Sequence, residues 1–181
     1  MNFENFIRKS LVGLKKAINK PVHVSVAGVI VEKEGKILLV EEASDVIPKI
    51  FEKWNFPMAR IKKGEKPYKC AMRSGRKETG LFLKIDNSIR PSRKKNTYQI
   101  KIGKVHFNIH LFEATVVKGE LKVKPNTLGV QFFSLGEIEE LDKDGQLIHH
   151  YVLSAIADYK RMVSRRKPEK EGIEPNLKGE K

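Results

Sequence analysis

The chain has 181 residues, 40% of them hydrophobic, which is enough for one ordinary core with short additions at its ends. No stretch approaches the roughly 20 consecutive apolar residues of a membrane span, and the N-terminus lacks the charged, apolar and small-residue order of a secretion signal, so the cytoplasm is the expected location. The single cysteine, Cys70, excludes an internal disulfide and cannot assemble a zinc site alone, while a formal net charge of +14 makes a polyanion the natural partner.

Residues 3 to 18 space Phe3, Phe6, Ile7, Leu11, Leu14 and Ile18 at three- and four-residue steps, opposite Arg8, Lys9, Lys15 and Lys16. That pattern predicts an N-terminal amphipathic helix over residues 1–20. Its apolar face has three readings: docking on the domain's own surface, contact with a homodimer or protein partner, or binding at a membrane surface. Val22 to Val31 and Lys36 to Glu41 are predicted as a β-hairpin about the turn Glu32-Lys33-Glu34-Gly35. A long loop then reaches Trp54-Asn55-Phe56-Pro57. A helix follows, with Glu65 before it, Arg73 inside it, Cys70 packed in it and Gly80 at the left-handed position that closes it.

Farther along, Val105, Phe107, Ile109 and Leu111 alternate with Lys104, His106, Asn108 and His110, the pattern of a half-buried strand. Gln131 to Leu135 leads into a short helix over Gly136 to Leu141, and His149-His150 open a last amphipathic helix. The organisation expected is one domain over residues 21–162 and a disordered charged tail over 163–181.

The segment from Ala59 to Leu81 resembles the Nudix box, G-x5-E-x7-R-E-U-x-E-E-x-G-U with U a bulky apolar residue, and aligns with it without a gap. Glu65, Arg73, Glu78, Gly80 and Leu81 match. Ala59 replaces the first glycine, Ser74 and Lys77 replace two glutamates, and Gly75 takes an apolar position. The resemblance covers residues 22 to 160. It implies an α/β (α+β) fold, a Nudix-type α/β/α sandwich with a mixed sheet, and pyrophosphate hydrolysis with Mg or Mn held by carboxylates. It also implies that Glu65 and Arg73 tie the box loop to the helix. Met58-Ala59 stands where relatives carry a glycine pair that lets backbone approach a phosphate.

Positions 74, 77 and 78 stand at i, i+3 and i+4, so they share one helical face. Here that face offers a hydroxyl, an ammonium and one carboxylate, which leaves Glu78 as a weak candidate metal ligand. Pro125 to Val130, where many active relatives place another glutamate, holds no acid, and Glu41, Glu42 and Glu113 are the candidate substitutes. Gly75 inside a helix costs about 1 kcal/mol against alanine and has no local justification.

From Arg60 to Lys104 fifteen basic residues face three acidic ones. The candidate binding residues are Arg60, Lys62, Lys63, Lys77, Arg93, Lys94, Lys95 and Tyr98, with the tyrosine offered for base stacking and His106, Asn108 and His110 for base-edge hydrogen bonds. The preferred reading is a Nudix-fold protein with a degraded metal site that binds nucleotide diphosphate compounds or RNA with little or no catalysis, and then needs no cofactor. One alternative is an active hydrolase cleaving a nucleoside diphosphate-linked substrate or an RNA 5′ end with Mg or Mn through Glu78, Glu65 and Arg73. A second is a structural ribonucleoprotein subunit.

Overall fold

The computed structural model describes residues 21–42, 52–91, 97–125 and 127–166. The expected N-terminal helix over 1–20, the cations Arg93, Lys94 and Lys95, and the chain from 167 onward lie outside them.

Strand β1 (Val22–Ile30) runs parallel to β8 (Val105–Lys118), in register from Val22 opposite Val105 to Ile30 opposite Glu113. On its other edge β1 pairs antiparallel with the short β5 (Met58–Arg60). The far edge of β8 is shared by β7 (Tyr98–Ile102) along its first half and β6 (Phe82–Ile89) along its second. A second, antiparallel sheet has β3 (Lys36–Glu42) at its centre, flanked by β9 (Thr127–Phe133), the two-residue β2 (Glu32–Lys33) and the two-residue β4 (Trp54–Asn55).

The period-two alternation of β1 sorts its side chains to two cores. Val24, Val26 and Ile30 enter a cluster with Ile37, Leu39 and Phe107, capped by Ile138 of α2 (Leu135–Lys143) and by Val152, Ala155 and Ile156 of α3 (Tyr151–Ser164). Ala27 and Val29 enter the opposite cluster with Leu38 and Leu83, covered by Cys70 and Ala71 of α1 (Pro67–Thr79). The result is an α/β/α sandwich built on one mixed and one antiparallel sheet. Among the described residues no helix is long and apolar enough to cross a membrane.

Three differences from the sequence reading have physical causes. The long hairpin does not form, because the chain turns out of the first sheet after Ile30 and only β2 pairs with β3, closed by Glu34 and Gly35 in left-handed backbone. The last helix runs to Ser164, and Arg166 beyond it forks onto the buried Glu113, so order extends past residue 162. Gly75 has its reason in packing: a Cβ there would stand 2.3 Å from Leu83 Cδ1, so glycine lets α1 lie close against β6.

Candidate functional site

The box loop is fastened by one ion pair. Arg73 Nε donates to Glu65 Oε1 and Nη2 to Oε2, both at 2.8 Å, and the same Oε2 accepts the Lys62 N–H at 2.9 Å. Arg73 Nη2 also reaches the Arg60 carbonyl at 3.1 Å, and the Ile61 N–H donates to Ser25 O at 3.0 Å. The guanidinium beside it holds the Glu65 carboxyl down at about 2, against an ordinary 4.5. This fork pins the path of residues 60–65 and leaves Lys62 and Lys63 exposed on the loop. Cys70 Sγ faces the Ala59 and Arg60 carbonyls, each at 3.3 Å, and burial pushes the thiol up to about 11, which makes it a packing residue and a poor nucleophile.

The face carrying positions 74, 77 and 78 does not converge on one point. Ser74 is fully buried and donates to the Ala71 carbonyl at 2.9 Å, inside the contact between α1 and β1. Lys77 is exposed. Glu78, half-buried near the end of α1, accepts the Met58 N–H at 3.0 Å. Burial first, and then the nearby Glu42 carboxylate, raises the Glu78 pKa well above the ordinary range, outweighing Met58 N–H, Lys77 and Arg73, which draw it down. Two carboxylates from different elements, β3 and α1, therefore share one neighbourhood.

Beside them lies a buried polar pair that sequence reasoning missed. The Tyr151 hydroxyl donates to Asn55 Oδ1, and burial together with Glu42 raises the phenol's pKa. No local pattern announces this pair, because it forms only where the chain before α3 docks on β4, through Trp54 N–H to Gln146 O and Ile148 N–H to Trp54 O.

Other candidates are placed elsewhere. Tyr98 is buried and donates its hydroxyl to Asp158 Oδ2 at 2.9 Å, so its ring has no face left for a base, which corrects the stacking role. Glu113 is taken by Arg166 and by Asn87 Nδ2 at 3.0 Å, which removes it as a substitute ligand. Arg60 and Lys77 are exposed near the box, on β5 and α1. His106, Asn108 and His110 are half-buried along β8, with His106 edge-on to His23 at 5.0 Å and Asn108 accepting from Gln99 Nε2 at 3.4 Å.

A hard divalent cation selects about six oxygen donors. Here the side chains supply Glu42 and Glu78, the latter already accepting a backbone N–H, with the Lys77 charge acting on the same carboxyl. Among the described residues no three His, Cys, Asp or Glu side chains are grouped to hold a metal. Among the described residues two carboxylates are what the side chains offer a Mg or Mn here, so such a cation would need waters or ligand oxygens to complete its shell.

The NUDIX domain family model matches residues 21–155. The chain belongs to the NUDIX family. Among solved structures, this NUDIX domain is similar to a NUDIX hydrolase from Nitrosomonas europaea, with a TM-score of 0.64 at 23% identity over 79% of this chain and 90% of that one. It is also similar to a MutT protein from Methanosarcina mazei Go1, with a TM-score of 0.65 at 15% identity over 81% of this chain and 99% of that one. A C. elegans Ap4A hydrolase in a binary complex gives a TM-score of 0.61 at 13% identity, covering 78% of this chain and 98% of that one. At these identities the likeness is one of fold. None of the curated proteins compared with this NUDIX domain matches it by sequence.

Proposed function

We propose that this NUDIX domain binds a phosphorylated ligand, a nucleotide diphosphate compound or RNA, with hydrolysis lost or weak. The observation that carries the reading is the donor set of the box helix: Ser74 is spent inside the helix–sheet contact, Lys77 occupies the solvent edge, and Glu78 is tied to Met58 N–H. A box that has lost carboxylates and keeps the exposed Arg60, Lys62, Lys63 and Lys77 attracts phosphate, while fewer carboxylates are left to hold a cation or orient an attacking water.

One observation favours the alternative, an active hydrolase: Glu42 lies close enough to act on Glu78, so a pair of carboxylates survives at the site. The two readings separate in one experiment. ADP-ribose and 5′-triphosphate RNA are tested for binding and, in the same samples with Mg or Mn, for hydrolysis, with Glu78→Gln and Glu42→Gln alongside. The expected result is binding by all three proteins and no turnover above the variants. Turnover in the wild type that vanishes in both variants would overturn the proposal in favour of the hydrolase.

A further inference from the structure

On the opposite layer from α1, where β6 ends against the C-terminal turns of α3, lies a pocket of about 360 Å³. Ser88 and Arg90 line it from β6 and the residue after it, Asp158 and Arg161 from α3, and Arg165 from the residue that caps α3. We propose that this pocket binds a phosphate group.

Three cations line this pocket with a single carboxylate, and that carboxylate is already engaged. Asp158 is buried, accepts the Tyr98 hydroxyl at 2.9 Å and accepts Arg161 Nη1 at 2.8 Å, so it fixes the guanidinium at the pocket wall. Among the described residues neither Arg90 nor Arg165 has a carboxylate within ion-pair distance. Arg161 and Arg165 can be excused as cations that complement the C-terminal end of a helix. Arg90 cannot, because it arrives from a strand on a different element. Three guanidinium groups against one carboxylate leave an excess of positive charge at the pocket wall, and their planar forks match phosphate oxygens. The exposed Ser88 adds a hydroxyl donor at the same wall.

The pocket is separate from the box. The ten helical steps of α3 from Tyr151, next to Glu42, to Arg161 span ~15 Å at helical rise. Phosphate binding here is therefore independent of whether the box hydrolyses anything.

The chemistry fits a phosphate from either of two sources, a free ion or a single-stranded RNA backbone, and the test has an arm for each. Full-length wild type, Arg90→Ala/Arg165→Ala and Ser88→Glu are titrated with inorganic phosphate, followed by thermal unfolding, and with a short single-stranded RNA across a salt series. All three positions are exposed, so the variants should keep the wild-type circular dichroism. The expected result is a loss of about tenfold in RNA affinity in both variants, with the arginine pair also lowering the salt slope by about one to two. Loss of saturable stabilisation by inorganic phosphate, with RNA binding unchanged, would support the pocket and assign its occupant as the free ion. Unchanged binding of both ligands in both variants would overturn the proposal. Lys62→Ala/Lys63→Ala, run in parallel, reports on the box loop, so a failure there is told apart from a failure here.

Discussion

Glu65 and Glu78 are carboxyl groups of one motif moved in opposite directions, and stability should record both. The Glu65 pKa falls from 4.5 to about 2 because Arg73 and Lys62 N–H stabilise the anion. Its contribution is therefore complete above 4.5 and is lost as pH falls toward 2. With both partners partly exposed we expect about 2 kcal/mol, read as a drop in urea midpoint below pH 4.5 that Glu65→Gln largely removes. Glu78 has the other sign: its folded pKa is raised, so its contribution is present below 4.5 and is lost as pH rises through the folded value. Glu78→Gln, which keeps an acceptor for Met58 N–H, should make the protein more stable than wild type at pH 7 and leave the two equal at pH 4. A variant less stable at pH 7 would mean that the ionised carboxylate is held by something stronger than Lys77 and Arg73.

At the scale of elements, what the sequence disclosed was what is decided locally. Helix α1 was legible because Glu65, Arg73 and Gly80 act within a few turns of one another, and Gly80 indeed closes it at φ 82° with its N–H on Arg76 O. The start of α2 is decided as locally, by Ser134 and Glu137 in a reciprocal capping box, a signal the sequence reading passed over. What was not legible depends on partners far along the chain. Nothing in Val22 to Val31 says that its neighbours are β5 and β8 and not β3. The box spacing put Ser74 and Lys77 on one face, but only the packing of α1 on β1 decides that the first is buried and the second exposed. Tyr98 likewise looked like part of a basic loop until β7 paired with β8 and drew its ring inside.

Gly75 gives this non-local term a measurable form. Alanine there should gain about 1 kcal/mol of helix propensity but meets Leu83 Cδ1 at 2.3 Å, and overpacking of a buried site costs about 1–3 kcal/mol. Gly75→Ala is expected to destabilise by about 1 kcal/mol. In a Leu83→Ala background the clash is gone and the same substitution should stabilise. A reversal of sign, measured by denaturant unfolding of the four proteins, isolates the contact from the propensity. The same sign in both backgrounds would put the reason for Gly75 somewhere other than β6.

For the whole molecule, a net charge of +14 acts on folding and on binding with opposite responses to salt. Self-repulsion among cations opposes the compact state, and raising ionic strength from about 0.05 to about 0.5 M shortens the screening length from roughly 14 Å to roughly 4 Å. The melting temperature should therefore rise across that range, although the Glu65–Arg73 and Glu113–Arg166 pairs are themselves weakened a little. Affinity for single-stranded RNA should fall over the same range, steeply if several phosphates are held at once. The pairing of the two curves is what discriminates, since either alone has an ordinary explanation. Rising stability with falling affinity assigns the cations to a polyanion site whose cost to folding is repulsion relieved by the ligand. Rising stability with flat affinity assigns them to a solvated face, and a melting temperature that falls with salt would show that the local ion pairs outweigh the global charge.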